Sequence, residues 1–335
     1  MILRRALRSI RIRLLPPRPQ PLILMYHRIT DEELDPWGNV VSPKNFREHL
    51  DVLRRTRHPI PLLEFVRKYQ DGTLSSRAVA ITFDDGYVDN LIAGKAHLAA
   101  VDMPATVFLA TGYLGGREFW WDEITRLILV GPGPPMLDIT IGSEQIRLNL
   151  EGDARRETGW RAWLDSPRTA RQAAYLAIWK RLRVIEPQAR QSVMAELRDV
   201  FAGRCEKLVS GRSMTPEEVN VLVRDGLVAI GAHTVSHPVL TELNYVAIRR
   251  ELVESKTTCE WLAGGEVCAF AYPFGSLNAE VRAAVSDAGF TCACSTKFSP
   301  VRAGSDVFAL PRIHVVNSGG DAFERSLHHA TLANG

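Results

Sequence analysis

Short apolar runs alternate with helix-forming stretches along nearly the whole chain, and this alternation restricts the fold more than any other feature. The runs at 22–26, 78–83, 105–110, 227–230, 267–272, 290–295 and 308–314 read as strands. Several, such as Ala78-Val-Ala-Ile-Thr-Phe83, are apolar throughout rather than alternating with polar residues, the pattern of a strand covered on both faces. Helix signals fall between them. Ser42-Pro-Lys-Asn-Phe46 offers an N-cap serine and a proline at the first helical position, with Phe46, Leu50 and Leu53 forming an apolar stripe. Thr215-Pro-Glu-Glu218 is a second capped start, and 247–262 and 279–288 continue the alternation. A chain of this pattern builds a parallel sheet, either curled into a (β/α) barrel or left open.

The strand at 78–83 ends in Asp84-Asp85-Gly86-Tyr87. An Asp-Gly pair is a common turn. The carboxyl end of a strand is also where α/β folds place their chemistry, and two adjacent acids repel unless a cation or a proton joins them. Turn and site therefore both remain open from this stretch alone.

Composition narrows the classes. A formal charge of +3 over 335 residues, with 46% hydrophobic and 24% charged residues, fits a globular protein with a sizeable core and gives no basic footprint for nucleic acid. The cysteines at 205, 259, 268, 292 and 294 are odd in number and lack CxxC spacing, so reduced thiols and a cytoplasmic location are expected. The segment from Met1 to Leu15 carries arginines at 4, 5, 8, 11 and 13, which leave no apolar core for an export signal. Leu3, Leu7, Ile10 and Leu14 share one helical face, so the segment reads either as a peripheral membrane contact or as a basic tail. No apolar run of eighteen residues occurs.

Gly131-Pro-Gly-Pro-Pro135 is the clearest linker. Beyond it 137–141 and 145–150 alternate like a hairpin about Gly142-Ser143, and 170–184 and 191–201 read as helices. The expected organisation is a basic segment over 1–20, one domain over 21–317 interrupted by a mainly helical insert at about 132–212, and a tail over 318–335. The insert holds no histidine, which points to a structural, lid or docking role. Just before it, Phe119-Trp-Trp-Asp-Glu123 could stack on a sugar face or seal the end of a core.

The strand at 227–230 leads into His233-Thr-Val-Ser-His237. An HxxxH alone is a weak signal, but here it sits on the same sheet edge as Asp84 and Asp85. Two imidazoles and one carboxylate make a three-donor set with an open position, the arrangement of a catalytic rather than a structural zinc. One aspartate can then bind the ion while the other remains free as a base. His27, at the end of the first strand, lines the cleft or sits satisfied in the core.

Thr82-Phe-Asp-Asp-Gly86, His233-Thr-Val-Ser-His237, Tyr272-Pro-Phe-Gly275 and Leu310-Pro-Arg-Ile-His314, in this order, resemble the motifs of the polysaccharide deacetylases. These are carbohydrate esterase family four, with the NodB-homology domain. Leu24-Met-Tyr-His27 and Phe119-Trp-Trp-Asp122 are also similar to members of the family. The likeness covers roughly 20–130 and 213–317. It implies a distorted (β/α) barrel of about seven strands and a divalent metal, usually zinc, held by Asp85, His233 and His237. Asp84 would be the general base toward the attacking water, and His314 the general acid toward the leaving amine. Substrate contacts are expected from Tyr87, Trp120, Trp121, Asp122, Tyr272, Pro273, Phe274 and His27. The substrate would be an N-acetylated amino-sugar glycan, with deformylation of a lipid-linked amino sugar or carbohydrate binding without turnover as alternatives. One position departs from the pattern: Ala271 stands where the family often has an arginine that orients the catalytic aspartate. Arg312, two residues before His314 on the same strand, is expected to supply that cation.

Overall fold

The computed structural model describes residues 19–152, 158–201 and 211–332. The basic segment from Met1 to Leu15, expected as a peripheral membrane contact or a basic tail, lies outside these residues. Seven parallel strands make up the central sheet: β1 (Leu22–Tyr26), β2 (Ala78–Phe83), β3 (Ala105–Leu109), then, past the hairpin β4 (Met136–Ile141) and β5 (Glu144–Asn149), β6 (Val228–Ala232), β7 (Ala269–Ala271), β8 (Cys292–Cys294) and β9 (Ile313–His314). Their order is β8-β7-β6-β3-β2-β1-β9, and a short strand at His58–Pro59 adds beside β2. The sheet is a curled half-barrel, a distorted (β/α) barrel. Its open side is spanned by the chain at 307–312, which bonds β8 through Leu310 N–H to Ala293 O (2.8 Å) before joining β1 as β9.

The strands are buried because each is apolar on both faces. Every residue of β1, β2 and β3 is buried, as the uninterrupted apolar runs require. Helices cover the outer face: α1 (Pro43–Thr56), α2 (Leu62–Gln70), then, beyond the short α3 (Trp120–Ile124) and the insert helices α4 (Ala170–Val184) and α5 (Pro187–Val200), α6 (Pro216–Val223), α7 (Tyr245–Ala263), α8 (Ala279–Asp287) and α9 (Gly320–Leu332). Ser42 caps α1 by accepting from Asn45 N–H, and Thr215 with Glu218 forms a complete capping box on α6. Among the described residues no helix is long and apolar enough to cross a membrane.

Two expectations shift. The stretch 308–314 is a strand only at Ile313–His314, because Pro311 offers no N–H and the preceding residues bond loop-wise to β8. The segment after Gly319 is an integral helix: Phe323 and Leu327 of α9 are 1% and 2% exposed and belong to the barrel core. Cys259, Cys292 and Cys294 are buried free thiols, and Cys268 is a half-buried one.

The insert is a hairpin followed by α4 and α5, as its sequence pattern requires. It does not stand apart. Leu137, Ile139, Trp160, Tyr175, Ile178 and Leu197 share one core with Tyr87, Phe119, Trp120 and Trp121 of the barrel.

Candidate active site

Parallel pairing brings the strand ends to one rim. Tyr26 pairs with Phe83 and Leu109 with Ala232, so the residues that follow β1, β2, β3 and β6 emerge together. The rim is stitched by Asp84 N–H to Tyr26 O (3.0 Å), Ala110 N–H to Asp85 O (3.2 Å) and His233 N–H to Leu109 O (2.9 Å). Five non-glycine residues have positive φ among the described ones, and four of them (Asp85, Thr234, His237 and Phe274) sit here. Such backbone costs on the order of 1–3 kcal/mol per residue and persists only where its surroundings over-determine it. Gly86 shows why a glycine follows the acids: its φ is +87°, and a Cβ there would stand 2.7 Å from Leu109 Cδ2.

Asp85, His233 and His237 form the one group of three metal-capable side chains among the described residues, their donor atoms all within 4.8 Å of one another. Asp85 Oδ1 lies 3.5 Å from His233 Nε2 and 3.4 Å from His237 Nε2. The three side chains are almost wholly buried, and Asp85 Oδ1 has no hydrogen-bond partner. Burial, reinforced by the neighbouring Asp84 and Asp122 charges, pushes the Asp85 carboxyl well above its ordinary range. Burial also lowers both histidines, so the imidazoles are neutral, the form that binds a metal. The Ala271 carbonyl, 2.7 Å from His233 Nδ1, accepts that N–H and turns the lone pair of Nε2 toward Asp85. A buried carboxylate with an orphaned oxygen between two neutral imidazoles fits a divalent cation.

The loop carrying the histidines is held from three sides. Glu251 of α7 accepts from Val235 N–H (2.8 Å), Ser236 N–H (2.9 Å) and the Ser236 hydroxyl (2.7 Å). Thr234 Oγ1 accepts from His237 N–H (3.1 Å). Arg190, from α5 of the insert, donates to the Ser236 carbonyl at 2.7 Å.

Asp84 lies beside this group and is 2% exposed. Arg312 donates through two nitrogens to its two oxygens, each at 2.7 Å, and to Thr82 Oγ1 and the Ser295 carbonyl. Burial alone would raise the Asp84 carboxyl, but the Arg312 charge, the nearby His233 and the two hydrogen bonds outweigh it and hold it well below the usual range. Arg312, in the segment just before β9, therefore meets Asp84 as expected, where Ala271 supplies no side-chain cation.

The other expected site residues divide. His27 and His314 face each other edge-on, ring centres 5.8 Å apart, with His27 Nδ1 and His314 Nε2 buried and unpartnered. Burial lowers both imidazoles, His27 to about 3. Phe274 packs 4.5 Å from His237 and Trp121 packs 4.6 Å from it. Tyr87 accepts from Trp121 Nε1 (2.7 Å) and donates to Asp122 (2.6 Å), so these three brace the site as one unit. Trp120 is 3% exposed and packs on Trp121 and Arg190. Tyr272 is fully buried and its hydroxyl donates to the Phe308 carbonyl. Pro273 is buried in the turn that presents Phe274.

A family model described as polysaccharide deacetylase matches residues 197–293, a span containing both metal-site histidines and the Pro273–Gly275 turn. Over this span the chain resembles the polysaccharide deacetylase family. Solved structures agree in fold. IcaB from Ammonifex degensii superposes with a TM-score of 0.59 at 16% identity, covering 93% of this chain and 97% of that one. The Streptococcus pyogenes deacetylase PplD, solved with acetate, gives 0.57 at 14% identity over 95% and 99%. A de-N-acetylase from Aggregatibacter actinomycetemcomitans gives 0.54 at 15% identity over 92% and 99%. No curated protein sequence matches.

The chain adds a wall that its motifs do not announce. Trp179 of α4 stacks on Trp37 with ring centres 4.1 Å apart and meets Phe274 edge-on at 6.0 Å. Trp37 is fixed by its Nε1 donating to Tyr175 (2.7 Å), and the half-exposed Trp163 sits beside Gly38, next to His314. Trp37 and Trp179 are 142 positions apart, so no local pattern pairs them. The only available hint was that an insert rich in tryptophan interrupts the chain beside the motifs.

Proposed function

We propose that the chain is a metal-dependent hydrolase that removes N-acetyl groups from the amino sugars of a glycan. The observation that carries this reading is the pairing of two unlike aspartates at one strand end. Asp85 faces two neutral imidazoles, while Asp84 is kept ionised by a buried guanidinium. Asp85, His233 and His237 would hold the ion, and their nitrogen and oxygen donors suit zinc. Such an ion, when bound, polarises the amide carbonyl as a Lewis acid.

The chain's own groups account for the proton movements. Asp84 is the base that takes a proton from the attacking water, with Arg312 fixing the plane of its carboxylate. His314, whose Nε2 is buried and unpartnered, is the group that passes a proton to the leaving nitrogen, with His27 holding its ring edge-on. Phe274 and Trp121 close the two flanks of His237 and exclude water from the reacting carbonyl. A binding protein without turnover has no use for a buried ionised carboxylate paired in this way, so the arrangement favours catalysis. The test is acetate release from N-acetylglucosamine oligomers by the purified protein supplied with zinc. Acetate formed by the wild type and not by Asp84→Asn is expected. Its absence from the wild type, with formate released instead from an N-formylated amino sugar, would contradict the acyl-group assignment.

A further inference from the structure

We propose that Arg183, carried by the insert, forms a subsite for an oxyanion, phosphate or carboxylate, attached to the sugar substrate beside the reacting residue. The proposal rests on the glycan reading above. Arg183 lies one helical turn after Trp179 on α4, and its guanidinium carbon is 5.3 Å from the Trp179 ring centre and 5.5 Å from that of Phe274. Phe274 is the ring that packs on His237, and Trp179 is backed by Trp37. The cation is thus held by aromatic rings at the edge of the candidate metal site.

Its neighbours on the insert are committed elsewhere. Arg181 is bidentate to Glu144, Arg190 donates to Ser236 O and Arg198 is bidentate to Glu123. Among the described residues Arg183 has ring contacts and no carboxylate or carbonyl partner. A guanidinium stacks through its face and keeps its five N–H donors in its plane. An arginine held by rings with its donor edge unspent is pre-organised for a planar, two-pronged oxyanion. A side chain already restricted by two rings has less rotamer entropy left to lose when an anion binds it.

The test is calorimetric binding to the purified full-length protein of three probes: methyl N-acetylglucosaminide, N-acetylglucosamine 1-phosphate and an N-acetylglucosamine–glucuronate disaccharide. The wild type is expected to bind at least one anionic sugar tenfold or more tighter than the neutral one. The phosphate arm and the uronate arm separate the two sources of charge. Arg183→Met, which keeps the packing stem, should lose that margin and leave the neutral affinity unchanged, and Arg183→Lys should recover part of it. Equal affinities in the wild type, or a margin that survives in Arg183→Met, would overturn the subsite. Absence of binding of every probe to the wild type would overturn the glycan reading and the subsite with it.

Discussion

A carboxylate that accepts a proton during turnover has to be ionised beforehand, and the burial of Asp84 works against ionisation. Arg312 reverses the balance with two hydrogen bonds of 2.7 Å from a fully buried side chain. Removing one member of a buried pair strands the other charge, at a cost of about 3–5 kcal/mol. Arg312→Ala should therefore lower the melting temperature and cut acetate release at least a hundredfold, while bound metal stays near the wild-type level, because Arg312 touches none of the proposed ligands. Parallel kinetics and metal analysis check this, and an unchanged rate would refute the role. At this scale much was legible. Asp84, Asp85, His233 and His237 stand out because strand ends and a four-residue spacing are local signals. The pairing of Arg312 with Asp84 follows from its place two residues before His314. The inward turn of Tyr272 was not legible, since it depends on the carbonyl of Phe308 reaching its hydroxyl.

At the scale of elements, His49 shows how the last helix is docked. Its ring, on α1, stacks on Phe323 of α9 at 4.0 Å, lies 2.7 Å from the Ser318 carbonyl and meets the Tyr26 hydroxyl. Burial lowers this imidazole from 6.5 to about 4, only partly opposed by the Ser318 hydrogen bond. Between those values the unfolded chain binds more protons than the folded one, so this contribution to stability is lost as pH falls from about 6.5 toward 4. The full shift is worth about 3 kcal/mol. Thermal unfolding of wild type and His49→Gln across that window should show a steeper acid loss in the wild type, and parallel curves would contradict it. The docking of α9 had only a helical pattern to announce it. The strands that are apolar on both faces were legible because burial on both sides leaves an unbroken apolar run. The stretch 308–314 was over-read as one strand because Pro311 and the bonds to β8 divide it.

Taken whole, the molecule is a half-barrel whose rim carries the candidate site and whose insert finishes the wall of the cleft. Because Trp160, Tyr175 and Leu197 share a core with Phe119 and Trp121, the insert is not a detachable module. Replacing 132–212 by a short flexible linker should give an insoluble or molten product rather than a minimal enzyme. A soluble, cooperatively unfolding deletion variant would show that the two parts fold independently. The hairpin and the two helices of the insert were legible from the change of period after the proline-rich linker. Its contacts with Trp37, Phe274 and the histidine loop are long-range and left no pattern to read.

The proposed reaction depends on one divalent ion held by Asp85, His233 and His237. Metal content measured by mass spectrometry on purified wild type and His233→Ala, with acetate release assayed on the same samples, tests it most directly. Close to one zinc per chain is expected in the wild type, with loss of both metal and acetate in the variant and retained folding. Acetate release by a wild-type protein that stays metal-free after zinc reconstitution would contradict it.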